Sequence, residues 1–376
     1  MKKIVIVNQS AGYLTVDIAN NFIKKGYGCA LIAGEIIERE TPLNPEITIK
    51  KIIKYNRSSR LHRIKSWLIG SVQIIFHVVT CFRHWHLFIV SNPPPATLIP
   101  LFLRNKFSLL IFDVFPDAVV ESGMTKKRSL LVGIWAHSNR KVYRRADHIF
   151  TLTDSMKIIL TQYTDTEKIK TIPLWTNNNF LRPVPKNENP FLYKHNLRGK
   201  FIILYSGNFG LSHNIEQIID LASKITDNRI TFVLIGGGST EKNIKQKLAS
   251  NNLKNCIILP WQDVKTLPYS LASADLAVVT LNDSASKVAI PSKLFNYLSV
   301  GAPILCISGL SSELEKIVEK YNVGRSFRPG QIDSMIQYIN ELVNDPLLCE
   351  TYSNNSLKAS SFYTVKNVDL ITTHYV

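Results

Sequence analysis

The chain has 376 residues, of which 45% are hydrophobic and 19% are charged. This balance excludes an intrinsically disordered protein, and the length is sufficient for two domains of the α/β class. The five cysteines are scattered and form no CxxC pair, which argues against structural zinc and indicates a reducing compartment. No signal peptide is predicted, because the short apolar run at residues 4–7 is followed at once by polar residues.

Positive charge is concentrated in the first half of the chain. The net charge is +17, and residues 1–180 carry 25 Lys and Arg against 12 Asp and Glu. A surface of this kind fits nucleic acid, an anionic membrane or a phosphorylated substrate. Two clusters contribute most of the excess: Lys50, Lys51, Lys54, Arg57, Arg60, Arg63 and Lys65, and then Lys126, Lys127, Arg128, Arg140, Lys141, Arg144 and Arg145.

Short apolar runs alternate with helical patterns through the first half, which predicts a parallel sheet. The first strand, at residues 4–7, is followed by a polar turn and by a helix over residues 16–25. Further strands are predicted at residues 29–33, 86–91, 109–113 and 148–152. The loops at residues 91–95 and 113–117 come just after strands, where open α/β sheets bind their ligands.

Residues 66–82 form an uncharged segment that contains Gln73 and His77 and lies between the basic clusters. The segment is too short and too polar to predict a transmembrane span. The first interpretation is a buried crossover helix. The alternative is contact with a membrane surface, because Trp67 and Trp85 lie near the ends of the segment.

The alternating pattern stops over residues 173–190, which are rich in Asn and Pro and are predicted to be the linker between domains. A second series of strands is predicted at residues 201–205, 231–235, 256–259, 276–281 and 304–307. Two doubly wound, Rossmann-like halves of this kind are expected to face a cleft. The terminal stretch, about residues 358–376, is predicted to be a helix that packs back on the first domain.

Three segments of the second half are suited to binding phosphate. Turns at residues 205–210 and 235–239 follow strands and let backbone N–H groups approach a phosphate or a sugar closely. In the third segment, residues 288–307, Pro291 is predicted at the first helical position, with Ser292 and Lys293 at the positive end of the helix. An ordinary βα unit with a surface lysine is the alternative for this segment.

In chain order, these motifs resemble the C-terminal domain of family 4 glycosyltransferases. The matching segments are YSGNFGLSHNIEQIIDLA, FVLIGGGS, ADLAVVTL and PSKLFNYLSVGAPIL, with looser similarity through SNPPPATLIP, IFDVFPDAVVESGM and ADHIFTLTDSM. The resemblance implies the GT-B fold, with an acceptor-binding domain at residues 1–180 and a nucleotide-sugar-binding domain at residues 190–357. It also implies a subgroup that transfers amino- or deoxysugars into bacterial surface polysaccharides such as O-antigen and capsule.

The resemblance further implies a retaining transfer from a nucleotide sugar to a polyprenyl-diphosphate-linked saccharide, with no metal or other cofactor. The chain departs from the usual pattern at two places. The usual glutamate pair falls on Val288 and Asn296, and the usual Arg and Lys fall on Asn208 and Asn214. Lys293, with or without Lys287, is therefore expected to supply the charge on the diphosphate.

The site residues follow from this resemblance. Asp113 is expected at the acceptor hydroxyl and Lys293 at the leaving diphosphate. His137 and His213 are not expected to take part in the reaction. A loop-capping role is the alternative for Asp113, and a structural role is the alternative for Asp117. On the acceptor side we expect Gly12, Asn92 and Asp117. The donor is expected to contact Gly207, Asn208, Gly210, Gly236, Gly237, Pro260, Trp261, Gln262, Pro291, Ser292 and Asn296.

Two other functions remain open. An epimerase of the same fold would act on the nucleotide sugar itself and would need acid–base carboxylates and histidines at the site. A non-enzymatic basic protein would bind nucleic acid, although the phosphate-type turns lie in the less basic half. The main expectation is a cytoplasmic glycosyltransferase that binds no nucleic acid and attaches to the anionic inner face of the plasma membrane.

Overall fold

The computed structural model describes residues 1–56, 58–121, 128–286 and 290–375. Five residues considered above lie outside these ranges, namely Arg57, Lys126, Lys127, Lys287 and Val288. The chain divides into two compact units: unit 1 comprises Met1–Pro173 and Lys366–Val376, and unit 2 comprises Leu174–Val365. The segment predicted to be a linker, residues 173–190, therefore lies almost entirely in unit 2.

Unit 1 is built on a parallel sheet. Its strands are β1 (Lys3–Val7), β2 (Ser10–Ala11), β3 (Gly28–Ala33), β4 (Glu35–Ile36), β5 (Thr48–Lys51), β6 (His86–Val90), β7 (Phe107–Ile111), β8 (Ile149–Thr151) and β9 (Ile169–Thr171). Strands β2 and β4 pair with each other, and the other seven form one sheet in the order β5-β3-β1-β6-β7-β8-β9. The order reverses at β1, so the carboxyl ends of β1 and β6 flank a position where α/β sheets bind ligands.

Helices cover this sheet and are joined by short 3₁₀ segments. They are α1 (Tyr13–Lys24), α2 (Arg60–Cys81), α3 (Asp117–Glu121), α4 (Leu130–Arg145) and α5 (Asp154–Leu160), with 3₁₀ helices at Pro94–Leu101 and Thr166–Lys168. Ser59 is the N-cap of α2, because its hydroxyl accepts the His62 N–H at 3.2 Å.

Helix α2 is longer than the segment predicted at residues 66–82, and only one of its faces is buried. Ile74 and Val78 belong to the core of unit 1, whereas Val72 and Phe76 are 67% and 62% exposed. The expectation of a buried crossover helix is therefore wrong for the outer face. In the described part of the chain, one helix, Leu61–Cys81, is long and apolar enough to cross a membrane by length and composition alone.

Unit 2 is a second parallel α/β unit. Its elements are α6 (Pro190–Lys194), β10 (Phe201–Asn208), α7 (Glu216–Lys224), β11 (Ile230–Gly237), α8 (Glu241–Ser250), β12 (Cys256–Leu259), α9 (Leu267–Leu271), β13 (Leu276–Thr280), α10 (Asp283–Ser286), α11 (Lys293–Ser299), β14 (Ile304–Ile307), α12 (Glu313–Tyr321), β15 (Gly324–Phe327), α13 (Ile332–Asn344) and α14 (Pro346–Ser360). Short 3₁₀ helices lie at Lys186–Glu188 and Leu211–His213. The strand order is β12-β11-β10-β13-β14-β15. Strands β10 to β14 each contain an apolar run, as is usual for strands that helices cover on both faces, whereas the edge strand β15 contains Arg325 and Ser326.

The predicted helix over residues 358–376 is not a single helix. Helix α14 ends at Ser360 in unit 2, because the following residues bridge to another segment: the Thr176 N–H donates to the Tyr363 carbonyl at 3.0 Å. The chain then joins unit 1, where it forms α15 (Asp369–Thr372) and the 3₁₀ turns Val365–Val368 and Thr373–Tyr375.

Candidate functional site

Strands β10 and β11 of unit 2 remain paired beyond their predicted ends and into two glycine turns. Gly207 lies opposite Gly236, and Asn208 lies opposite Gly237. Gly236 has φ of +142°, and a Cβ on it would lie 2.0 Å from the Gly207 carbonyl oxygen. Only glycine allows the two backbones to approach this closely, which explains why both of these paired positions are glycine.

Lys293 lies beneath the first of these turns. Its Nζ donates to the Tyr205 hydroxyl at 2.7 Å, and that hydroxyl donates to the Asn208 carbonyl at 2.8 Å. The same Nζ lies 2.6 Å from the position that a Cβ on Gly207 would occupy. Burial lowers the pKa of Lys293 to about 7. Among the residues that the structure describes, no carboxylate forms an ion pair with this ammonium group.

Helix α11 begins at Lys293, with Ser292 as its N-cap. Pro291 therefore precedes the N-cap and does not occupy the first helical position that the sequence predicts. The reason is a tight first turn, in which the Pro291 carbonyl accepts the Leu294 N–H at 3.2 Å. The packing prediction is confirmed, since Leu294, Tyr297 and Leu298 are fully buried.

His213 and Tyr205 are the residues of unit 2 that the sequence analysis undervalued or missed. His213 Nδ1 lies 3.3 Å from the Thr280 carbonyl oxygen, and its ring lies beside Gly210. Burial, and then the charge of Lys293, lower the pKa of His213 to about 4, so the ring is neutral near pH 7. A tyrosine two residues before a strand-end glycine is the sequence signal that could have indicated a role for Tyr205.

The segment Pro260–Gln262 lies beside the second glycine turn. A Cβ on Gly237 would lie 3.4 Å from Trp261 Nε1 and 3.0 Å from Glu241 Oε2. The Trp261 side chain is 59% exposed, whereas the Gln262 side chain donates to the carbonyl of Pro260 at 2.7 Å. Pro260 and Trp261 are therefore both exposed and open to a ligand.

Asn208 and Asn296 differ in the hydrogen bonds that their side chains form. Asn208 is exposed, and its side-chain amide forms no hydrogen bond with any described residue. The Asn296 Oδ1 accepts a hydrogen bond from the Thr176 hydroxyl at 2.8 Å. Asn208 is thus the more available of the two, and donor binding by either residue stays a prediction.

In unit 1, Asp113 follows β7, which ends two residues earlier than predicted, at Ile111. Solvent reaches the side chain, yet the protein packed around the carboxyl group raises its pKa to about 6 by desolvation. Within the described residues, this carboxylate has no hydrogen-bond partner. It is therefore free to accept a hydrogen bond from a ligand hydroxyl.

Asp117 is engaged within unit 1. Its carboxylate accepts hydrogen bonds from the Tyr163 hydroxyl at 2.5 Å and from Gln162 Nε2 at 3.0 Å. These bonds fasten the start of α3 to the segment after α5. The contacts fit the structural alternative, and a role at the acceptor stays a prediction.

Two further residues were expected on the acceptor side. Gly12 is the N-cap of α1 and directly follows β2. Asn92 follows β6, and its Nδ2 donates to Asn8 Oδ1 at 3.1 Å, while Asn8 Nδ2 donates to Thr15 at 2.8 Å. Asn8 was not expected from the sequence, and it ties the ends of two neighbouring strands together.

No group of three or more His, Cys, Asp or Glu side chains is placed to hold a metal ion in residues 1–56, 58–121, 128–286 and 290–375. The expectation that the reaction needs no metal stays a prediction.

Comparison with known proteins identifies the class of this chain. Residues 188–359 match the family model described as glycosyl transferases group 1. The chain is 23% identical over 344 residues to the probable glycosyltransferase WbjE of Pseudomonas aeruginosa. The matched residues cover 89% of this chain and 86% of that protein. It is 27% identical over 143 residues to the putative colanic acid biosynthesis glycosyl transferase WcaI of Escherichia coli K12, covering 38% of this chain and 35% of that protein.

The fold is shared with solved structures. HepE of Anabaena, solved in complex with UDP, is 13% identical and matches with a TM-score of 0.75 over 100% of this chain and 99% of its own. The two α/β units with parallel sheets are those of the GT-B fold. The resemblance seen in the sequence is thus confirmed, the chain is an enzyme of the glycosyltransferase class, and the non-enzymatic alternative is wrong.

Proposed function

We propose that this glycosyltransferase moves a sugar from a nucleotide sugar, bound by unit 2, to a lipid-linked saccharide, bound by unit 1, during assembly of a bacterial surface polysaccharide. The observation that carries the donor assignment is the ammonium of Lys293 beneath the Gly207 turn, with no carboxylate partner among the described residues. HepE binds UDP, which supports a uracil nucleotide as the donor. The name of WcaI supports a role in polysaccharide biosynthesis.

Unit 2 has to stabilise the negative charge that develops on the leaving group. When the bond between the sugar C1 and the phosphate oxygen breaks, negative charge accumulates on the nucleoside diphosphate. Lys293 and the exposed Ser292 hydroxyl are the groups proposed to stabilise that charge, with backbone N–H groups of the glycine turn. Preorganised donors of this kind contribute about 3 kcal/mol each to lowering a barrier.

The acceptor half of the reaction is assigned to unit 1. The acceptor hydroxyl forms the new bond to C1 on the face that the phosphate leaves, and its proton passes to the departing phosphate oxygen. The configuration at C1 is then retained. Asp113 is proposed to orient the hydroxyl by accepting its hydrogen bond, since the carboxylate is free of other partners among the described residues.

The donor assignment is tested by thermal shift with UDP, GDP, dTDP, CMP and their common sugars, without added metal. One nucleoside diphosphate is expected to raise the melting temperature, because a ligand that binds only the folded state stabilises it. In the Lys293→Met variant, this shift should be lost. Lys254→Met is the matched control, because Lys254 is an exposed lysine of the same unit. If Lys293→Met retained the full shift, Lys293 would have no role at the diphosphate.

The epimerase alternative predicts a different product. An epimerase converts the nucleotide sugar when no acceptor is present, whereas a transferase leaves it intact apart from slow hydrolysis. Incubation of the donor alone, followed by separation of the epimers, distinguishes the two activities. Formation of an epimer at the rate of a catalysed reaction would overturn the transfer proposal.

The outer face of α2 supports attachment of unit 1 to an anionic membrane. The face is an exposed apolar stripe at helical spacing, formed by Leu61, Ile64, Leu68, Val72, Phe76 and Val79. The opposite face is fixed to the protein: Gln9 Nε2 donates to the Ser66 carbonyl at 2.9 Å. A helix of this kind lies in the plane of the bilayer interface, with basic residues near its start attracted to anionic lipid. We propose that the enzyme is cytoplasmic and that this face attaches it to the inner face of the plasma membrane.

Flotation with phosphatidylglycerol vesicles tests the attachment. Val72→Glu combined with Phe76→Glu should abolish flotation, because two carboxylates would enter the apolar interface. Ile158→Glu is the control, since Ile158 is an exposed apolar residue of unit 1 on a different helix, α5. Equal flotation of the α2 variant and the wild-type protein would show that α2 does not face the membrane.

A further inference from the structure

A second charged site lies at the amino ends of the strands in the unit 1 sheet, whereas Asn92 and Asp113 lie at the carboxyl ends. It is a cavity of about 640 Å³ lined by the first residues of β1, β6 and the strands beside them. Strands of five residues separate these amino ends from the carboxyl ends by about 16 Å. We call this cavity the basic pocket. Its charged lining residues, histidines apart, are Lys2, Lys3, Arg83, Arg104, Lys106 and Asp147.

The basic pocket holds five cationic side chains and one carboxylate. The carboxylate of Asp147 lies 3.8 Å from the His86 ring. The side chains of Arg83, Arg104 and Lys106 are exposed and form neither a hydrogen bond nor an ion pair with any residue that the structure describes. Cationic side chains that no carboxylate neutralises give the cavity a positive potential, which attracts an anion.

The walls of the basic pocket are held in place. Asn105 Nδ2 donates to the carbonyls of Phe82 and Trp85 at 2.9 and 2.8 Å, which ties the segment before β6 to the segment before β7. The Trp85 ring stands 5.5 Å from the Nζ of Lys3. Arg83 and Arg104 are therefore carried by backbone segments that are already ordered, so binding of an anion would have to order only their side chains.

We propose that the basic pocket is a phosphate-binding site, separate from the donor site of unit 2. Two arginines with free guanidinium groups suit the bidentate recognition of a phosphate or a diphosphate. The proposal does not rest on the proposed transferase function, because the basic pocket lies at the amino ends of the unit 1 strands and the donor site belongs to unit 2. The phosphate can be carried by a lipid headgroup or by a soluble anion.

One feature of the chain favours the lipid source. Arg83 comes four residues after Val79, the last residue of the exposed stripe of α2, and Arg104 comes two residues after Phe102, which is 75% exposed. Each arginine thus comes shortly after an exposed apolar side chain in the sequence. A phosphate at the level of lipid headgroups would lie next to apolar residues in the same way.

Binding of inorganic diphosphate, measured by calorimetry, tests the site. Every protein carries Lys293→Met, so that the donor site of unit 2 does not contribute. Adding Arg83→Gln and Arg104→Gln should weaken diphosphate binding at least about tenfold, because two charged hydrogen-bond donors are lost. The control is Lys141→Gln with Arg144→Gln, which removes the same charge from exposed positions of α4. Both arginines are exposed, so the melting temperature should not change.

Sedimentation with phosphatidylglycerol vesicles, compared with neutral phosphatidylcholine vesicles, distinguishes the two sources. If the pocket substitutions weaken binding to phosphatidylglycerol vesicles more than the control pair does, whether or not they also weaken diphosphate binding, the ligand is a lipid headgroup. If they weaken diphosphate binding alone, the ligand is a soluble anion. If the pocket pair and the control pair behave alike in both assays, the proposal is wrong. Loss of donor binding at Lys293 would leave these results unaffected.

Discussion

The Lys293 ammonium and the Asp113 carboxylate are the two charged groups whose pKa values are moved furthest toward neutrality at the proposed reaction. Burial lowers the pKa of Lys293 to about 7, and desolvation by the protein packed around the carboxyl group raises the pKa of Asp113 to about 6. Each group is therefore partly uncharged near neutral pH before substrate binds. Shifts of this kind are common where a site awaits a ligand that restores the charge.

We expect nucleotide-sugar affinity to depend on the protonation of Lys293. Only the ammonium form attracts the diphosphate, so affinity should be highest below pH 7 and fall up to about tenfold per pH unit above it. Two neighbouring groups do not change charge in this range: burial raises the pKa of Tyr205 above its usual value, and the pKa of His213 is about 4. Calorimetry between pH 6 and pH 8.5 measures the effect, and Lys293→Met should bind weakly and without this slope. A flat profile in the wild-type protein would contradict the prediction.

The anionic form of Asp113 is expected to be the one that orients the acceptor. Since its pKa is raised to about 6, the carboxylate is lost as the pH falls below 6, and kcat/KM should fall with it. Asp113→Asn should reduce kcat/KM about 100-fold and remove this acidic limb. Asp117→Asn provides the contrast: it should lower the free energy of unfolding by about 1–3 kcal/mol, because two hydrogen bonds to a charged group are weakened. Normal turnover by the Asp113→Asn variant would show that Asp113 does not orient the acceptor and only caps its loop.

At the level of elements, the pairing of β10 with β11 creates the surface on which the donor is proposed to bind. The register brings Gly207 opposite Gly236, and their backbones are too close for any side chain between them. Helix α11 then carries Lys293 under the same turn. The site therefore depends on strand register as much as on the identity of any polar side chain.

Gly236→Ala should destabilise unit 2 by about 3 kcal/mol, because the new methyl group would overlap the Gly207 carbonyl at a positive φ. Chemical denaturation followed by circular dichroism measures the change. Gly133→Ala is the matched control: Gly133 is exposed within α4, and a methyl group added there would meet no other atom within 4 Å, so this change should stabilise the protein by about 0.5–1 kcal/mol. Equal stability of the two variants would show that the close approach is not required.

At the level of the whole molecule, the chain leaves unit 1 at Pro173 and returns to it at Lys366. The returning segment is anchored in unit 1. Asn21 Nδ2 donates to the Thr372 hydroxyl at 2.9 Å, Lys25 pairs with Asp369 at 3.1 Å, and Ile371 is fully buried. Unit 1 therefore depends for its stability on residues that are distant from it in sequence.

Ile371→Ala should lower the stability of unit 1 by about 2–5 kcal/mol, as is usual when a buried isoleucine is truncated. Leu370→Ala, at the neighbouring position that is 45% exposed, should cost less than about 1 kcal/mol. Because unit 2 is untouched, both variants should bind the nucleoside diphosphate as the wild-type protein does. Calorimetric melting with and without the nucleotide measures both quantities, and a loss of nucleotide binding in Ile371→Ala would contradict the independence of the units.

Ten of the fifteen strands could be predicted from the sequence, because apolar runs, turn glycines and helix patterns are local signals. The sequence analysis missed β2, β4, β5, β9 and β15, because each of them is too short or too polar to stand out as an apolar run. The strands at residues 256–259 and 304–307 match β12 and β14, and the motifs of residues 205–307 indicated the glycosyltransferase class. Local signals did not give every boundary. The start of α11 was misplaced because its first turn is tight, and the terminal helix was overextended because Tyr363 and Thr364 pair with Thr176 instead.

Which side chains meet could be learned from the folded chain alone. The contact of Lys293 with Tyr205 spans 88 positions of the chain, and it exists because α11 packs beneath the end of β10. The exposed stripe of α2 was also hidden from the sequence, since an apolar pattern does not tell which face the core covers. The basic pocket arises in the same way, from cations that begin separate strands and come together only when those strands lie side by side. Each of these features depends on packing between distant segments, and no local pattern encodes that packing.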